Sequence, residues 1–129
     1  MTDVLMSIHN KNANNILDGI KPYEMRTTII KRLIEGDRVY LYSTAPISKV
    51  VGHAIFIRRE TYFVSDILNS SEILEKVCVT REEAEAYCRG RQYANIYTLK
   101  DPVRYDSPMA LFDLGISFPP QTFRYLERY

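Results

Sequence analysis

The segment Lys21-Pro22-Tyr23-Glu24-Met25-Arg26 sets two cations and one carboxylate within six residues, directly behind a stretch with helical spacing. Side chains alternate along extended backbone, so Glu24 and Arg26 share one face of a strand and Lys21 lies at its mouth. Three such groups at a helix-to-strand junction can hold an anion, or can form a Lys–Glu pair through which a proton passes. The spacing alone also describes an ordinary surface ion pair between Glu24 and Arg26, worth about 0–1 kcal/mol.

The elements on either side must bring these groups together. In Asn12–Asp18 and just beyond, Ala13, Ile16, Leu17 and Ile20 recur at helical spacing, and Gly19 stands where a helix ends in a left-handed residue. Pro22 cannot continue a helix and favours extended backbone at Lys21, so a strand begins there and is expected to run from Tyr23 to about Ile29. Upstream, Val4–Ile8 reads as a first strand, and Asn10 is placed to cap the helix that follows. Downstream, Gly36-Asp37 turns into a strand at Arg38–Tyr42, and Ser43–Ser48 is a loop of small residues with one proline. Val50–Ile57 is apolar on both faces and is expected to be a central strand.

The middle of the chain is helical and acidic. Ser65-Asp66 starts a short turn, Ser70-Ser71 caps Glu72–Val77, and Thr80 with Glu83 forms a capping box. Ala84, Tyr87 and Cys88 give the last of these helices an apolar stripe, and Gly90 ends it. Gln92–Leu99 alternates as a strand, Val103–Tyr105 reads as another short strand, and Ser107–Asp113 reads as a short helix with proline at its start. Several short strands with helices inserted at two points predict an α+β fold, a small mixed β-barrel with flanking helices. At 129 residues the whole chain, 1–129, is expected to be one domain.

Composition narrows the function. The net charge of +1 argues for no particular partner, although residues 1–60 carry +3 and residues 61–129 carry −2. The basic half contains the Lys21–Arg26 segment, which suits an anionic ligand but falls short of a dedicated duplex-binding patch. Cys78 and Cys88 have no zinc spacing and are expected to be reduced thiols of a cytoplasmic protein. No basic and apolar leader precedes the first strand, and the apolar runs are far shorter than the about 20 residues of a membrane helix. No membrane association, metal or cofactor is expected. Nucleophile-elbow, P-loop, zinc-protease and dinucleotide-binding patterns are absent. Of the two histidines, His53 lies among apolar neighbours and reads as a hydrogen-bonded core residue, whereas His9 stands beside the motif helix and is a candidate for ligand contact. Ten tyrosines and no tryptophan supply strand aromatics; most should pack in the core, but one or two at a cleft mouth would suffice to stack a base.

Four motifs in order give a resemblance. Gly19-x-Lys21-x-x-Glu24-x-Arg26, then Gly36-Asp37-Arg38-Val39-Tyr40-Leu41-Tyr42-Ser43-Thr44-Ala45-Pro46, then Lys49-Val50-Val51-Gly52, then Phe118–Leu126 together resemble an ASCH domain of the PUA-like superfamily, of the small bacterial or phage type. The resemblance runs from about Val4 to Leu126. It implies a mixed barrel with a cleft beside the motif helix, lined by Lys21, Glu24 and Arg26 and joined by Ser43 and Thr44. His9, Tyr23 and Arg124 are further candidate ligand contacts, with Gln121 alongside Arg124. The resemblance implies binding of RNA or of a modified nucleotide or nucleoside, with Lys21 and Arg26 neutralising phosphate. The alternative is a small hydrolase, amidohydrolase-like or nuclease-like, with Lys21 and Glu24 as its catalytic residues. One branch of the family resembles amidohydrolases that remove an acyl group from a modified cytidine with a lysine, a threonine and a glutamate. Lys21 matches that set, but Glu24 stands where that branch has threonine, so binding is taken ahead of hydrolysis. A protein-interaction domain is a third class.

Overall fold

The computed structural model describes residues 2–127. The chain runs β1 (Thr2–Ile8), α1 (Asn10–Leu17), β2 (Tyr23–Arg26), β3 (Arg38–Ser43), β4 (Lys49–Phe63), α2 (Val64–Leu68), α3 (Ser71–Val77), α4 (Arg81–Tyr87), β5 (Tyr93–Met109), a short 3-10 turn (Leu111–Leu114) and β6 (Phe123–Glu127). The six strands form one mixed sheet in the order β2-β5-β4-β3-β1-β6. β1 and β3 are parallel, and the other neighbours are antiparallel. This is the expected α+β architecture, except that the sheet is open: its edge strands, β2 and β6, do not pair with each other. The edge strand β2 has only four residues, and α3 packs against it.

The largest core lies between the sheet and α1. Ala13, Ile16 and Leu17 of the helix meet Val4, Met6 and Ile8 of β1 and Val39 and Leu41 of β3. The helix sits very close to β4. A Cβ on Gly52 would lie 2.6 Å from a Leu17 methyl and 2.3 Å from the Val103 carbonyl oxygen, so only glycine fits. Ile20, grouped by spacing with the helix stripe, falls beyond the helix and is 62% exposed. Gly19 does take the left-handed conformation expected of it, at φ +76°. A smaller core under α2, α3 and α4 joins Met25, Ile67, Val77, Ala84, Cys88 and Ile96.

Several expectations at element boundaries are corrected. β5 is one long strand, so Val103–Tyr105 is not separate and Ser107–Met109 remains extended; the helical turn begins only at Leu111. β5 accommodates Pro102 and Pro108 because the pairing skips from Lys100 to Val103 and from Arg104 to Met109. Both prolines therefore fall where no ladder N–H is required. β2 stops at Arg26 because Tyr97 draws the chain away: its hydroxyl donates to Thr28 O at 2.8 Å and accepts from Ile30 N at 2.9 Å. His9, not Asn10, takes the cap position of α1, and Asn10 Oδ1 instead accepts from the Ser43 hydroxyl at 3.0 Å. The caps at Ser70 and Thr80 form as the sequence indicates, the latter with both bonds of its capping box.

Candidate functional site

Lys21 leaves α1 with its backbone N–H bonded to Asn15 O at 3.0 Å, and Pro22 O accepts from Leu99 N at 2.9 Å, so the start of β2 is tied to both helix and sheet. Along β2, Glu24 stands opposite Tyr97 and Arg26 opposite Asn95. The Asn95 carboxamide donates to Arg26 O at 3.2 Å and its oxygen accepts from Thr61 at 2.7 Å. Within this frame Glu24 bridges two cations. Its Oε1 is 2.9 Å from Lys21 Nζ and its Oε2 is 2.8 Å from Arg26 Nε, with side-chain exposures of 3% for Lys21, 5% for Glu24 and 12% for Arg26. The surface-pair reading of these residues is thereby excluded. Arg26 Nη2 further donates to Ser7 O at 2.8 Å.

The network forms the base of a cavity of about 460 Å³. Ile8, His9, Asn12, Thr44, Gln121 and Thr122 contribute to its lining from β1, α1, the β3 loop and the approach to β6. Val77, Val79, Glu83 and Tyr87 contribute from α3 and α4. Glu83 is already engaged in its capping box, where Thr80 N donates to it at 3.0 Å, and those hydrogen bonds hold its carboxyl below the ordinary range. Both oxygens of Glu24 are occupied, so it fixes the two cations rather than offering a free acceptor. An ammonium has three N–H donors and a guanidinium five, which leaves several unused donors at the base of a cavity whose central network carries a net single positive charge.

Of the residues singled out from sequence, His9, Lys21, Glu24, Arg26, Thr44 and Gln121 come together in this lining. Ser43, Tyr23 and Arg124 do not. Ser43 is fully buried and bonded to Asn10. Tyr23 packs against the smaller core, with Lys76 Nζ 5.4 Å above its ring. Arg124 is exposed on β6, opposite Leu5. Tyr87 and Ser7 were not anticipated. Tyr87 belongs to the helix stripe that spacing assigned to the core, yet Ala84 and Cys88 are buried while Tyr87 stays 49% exposed over the cavity. Ser7 is a small hydroxyl among the apolar Val4, Leu5, Met6 and Ile8, a weak signal in itself.

His53 lies away from the cavity and is hydrogen-bonded as expected, but it is half-buried and not a core residue. Its Nδ1 lies 2.7 Å from the Tyr105 hydroxyl; burial holds the imidazole below its ordinary value and pushes the Tyr105 phenol up to about 12. Cys78 and Cys88 are free thiols, and burial pushes Cys88 up. Among the described residues no group of three or more His, Cys, Asp or Glu is arranged to hold a metal, and no helix is long and apolar enough to cross a membrane.

A mixed open sheet with one helix against its large core and three helices over its end defines the class of fold. The structure of the ASCH protein from Zymomonas mobilis superposes on it with a TM-score of 0.86 and 22% identity, covering 98% of this chain and 88% of that one. The chain thus has the ASCH fold, as the motif resemblance indicated. The N-terminal domain of Staphylothermus marinus McrB is more distant, at a TM-score of 0.51 and 10% identity over 86% of this chain and 77% of that one. No protein-family model matches the chain. Among curated proteins it is 26% identical over 126 residues to large ribosomal subunit protein uL22 from Ureaplasma parvum, covering 96% of this chain. It spans 39% of the length of those relatives.

Proposed function

We propose that the cavity binds a nucleotide of single-stranded nucleic acid, RNA in particular, with Lys21 and Arg26 facing phosphate or carbonyl oxygens. The observation that carries this reading is the buried Lys21–Glu24–Arg26 network at the base of the 460 Å³ cavity. Burying an ion costs several kcal/mol, and apolar residues of similar volume often serve stability as well or better. A network kept at that cost, with unused donors beneath an open cavity of ligand size, is suited to an acceptor-rich ligand. A concave site suits an unstacked base better than a duplex, and a chain of net charge +1 lacks the basic surface of a duplex binder. The ASCH fold and the ribosomal name of the curated relatives agree with RNA. Free thiols and an RNA ligand fit a cytoplasmic setting.

The test is fluorescence anisotropy of the wild type and Lys21→Ala against single-stranded RNA, duplex RNA and duplex DNA at two salt concentrations. Salt-sensitive binding to single-stranded RNA, weakened by Lys21→Ala, is expected. Failure to bind all three would remove this reading.

A second reading, hydrolysis of a modified nucleoside, rests on the 2.9 Å contact between Lys21 and Glu24, which is close enough for proton exchange. Against it, Arg26 holds the other Glu24 oxygen. A wild type inert toward a panel of acylated nucleosides eliminates hydrolysis; turnover abolished by Lys21→Ala in a folded protein would put it first.

A further inference from the structure

We propose that Gln121 reads the base of the bound nucleotide and that Ser7 is the residue positioning it. The inference rests on the cavity being a nucleotide site. The two carbonyls flanking Gln121 are both tied to Ser7: the Ser7 hydroxyl donates to Pro120 O at 2.6 Å, and Ser7 N donates to Thr122 O at 2.9 Å. The carbonyl of the same residue accepts from Arg26 Nη2 at 2.8 Å. One buried serine therefore sets the spacing between the guanidinium at the base of the cavity and the backbone that carries Gln121. Pro119 and Pro120 stiffen the approach to that position. The Gln121 side chain is exposed, lines the cavity, and has no hydrogen-bond partner among the described residues.

The chemistry divides accordingly. Lys21 and Arg26 only donate, and phosphate oxygens carry no sequence information. A carboxamide presents a donor beside an acceptor, which matches the paired groups on the Watson–Crick edge of an unstacked base. Tyr87, half-exposed in the same lining, supplies a ring face for stacking that tolerates any base. Discrimination between bases then falls to Gln121.

The experiment compares affinity for oligo(A), oligo(C) and oligo(U) across the wild type, Gln121→Ala, Gln121→Glu and Ser7→Ala, with thermal melts to confirm folding. The wild type should separate the three oligomers. Gln121→Ala should lower affinity for the preferred one about tenfold and bring all three together, without changing the salt slope. Gln121→Glu, which only accepts, should shift preference toward the amino-bearing bases in oligo(A) and oligo(C). Ser7→Ala should lose discrimination in the same direction while still binding. Discrimination that survives Gln121→Ala, or a wild type that binds all three oligomers equally, overturns this assignment and leaves the nucleotide site standing. A wild type that binds no RNA overturns both.

Discussion

Just beyond α1, Lys21 and Arg26 close on Glu24 with side chains 3%, 12% and 5% exposed; beside the same helix, Arg104 closes on Asp18 at 2.6 Å with side chains 45% and 51% exposed. Arg104 also reaches Asn14 at 2.9 Å, so it fastens the end of α1 to β5 as a two-point latch. The partners are of the same kinds and the distances are similar. Their surroundings are not. Water screens the latch, and its loss exposes nothing costly. The Lys21, Glu24 and Arg26 side chains are 3%, 5% and 12% exposed, so far less solvent screens them and each member depends on the other two. Ion pairs in this fold are therefore cheap where they fasten elements and expensive where they face the cavity, and the expensive one is the candidate for function.

The sharpest way to challenge that contrast is Glu24→Gln, which leaves two buried cations beside each other. A loss of about 3–5 kcal/mol in urea denaturation is expected; a loss near zero would mean that the network is effectively solvated. Next in size is Tyr97→Phe, a neutral change beside the network. It strands Ile30 N, which donates to the tyrosine hydroxyl at 2.9 Å, and should cost about 1–3 kcal/mol in the same measurement. Arg104→Ala should cost less than about 1 kcal/mol, and added salt should shrink even that difference. A larger cost would make the latch a structural element in its own right.

The smallest effect belongs to His53, on the sheet face turned away from α1. Burial, aided by the Arg38 charge, holds its imidazole below the ordinary 6.5. The unfolded chain therefore takes up that proton first as pH falls, so stability drops with falling pH from about 6.5 toward the lower folded value and is unaffected above that window. His53→Gln should remove this part of the pH dependence of the melting temperature. An identical pH profile in the variant would show that His53 does not contribute to it.

The shared face of Glu24 and Arg26 was legible in the sequence because strand alternation is local, and so were the Thr80 capping box and the Gly19 helix end. What surrounds them was not local. Burial of Lys21, Glu24 and Arg26 depends on β5, which pairs with β2 from far along the chain, so spacing could not separate a buried network from a surface pair. Ser107–Asp113 read as a helix because proline suits a first helical position, and a bulge that absorbs a proline leaves no mark in composition. Tyr87 was assigned to the core by helical periodicity, which identifies a stripe but not where the stripe runs out over a cavity. Ser7 carries its role in two backbone groups and one hydroxyl, which any serine possesses. Openness of the sheet likewise depended on which edges fail to meet.

The most direct measurement sets the two networks side by side: affinity for single-stranded RNA as a function of salt, for the wild type, Lys21→Met and Arg104→Ala, each confirmed as folded. Expected is a loss of affinity in Lys21→Met with a salt slope shallower by about one counterion, and an unchanged slope and affinity in Arg104→Ala. Equal losses from both variants, or a loss only from Arg104→Ala, would place RNA on the exposed face of α1 and β5 and not in the cavity.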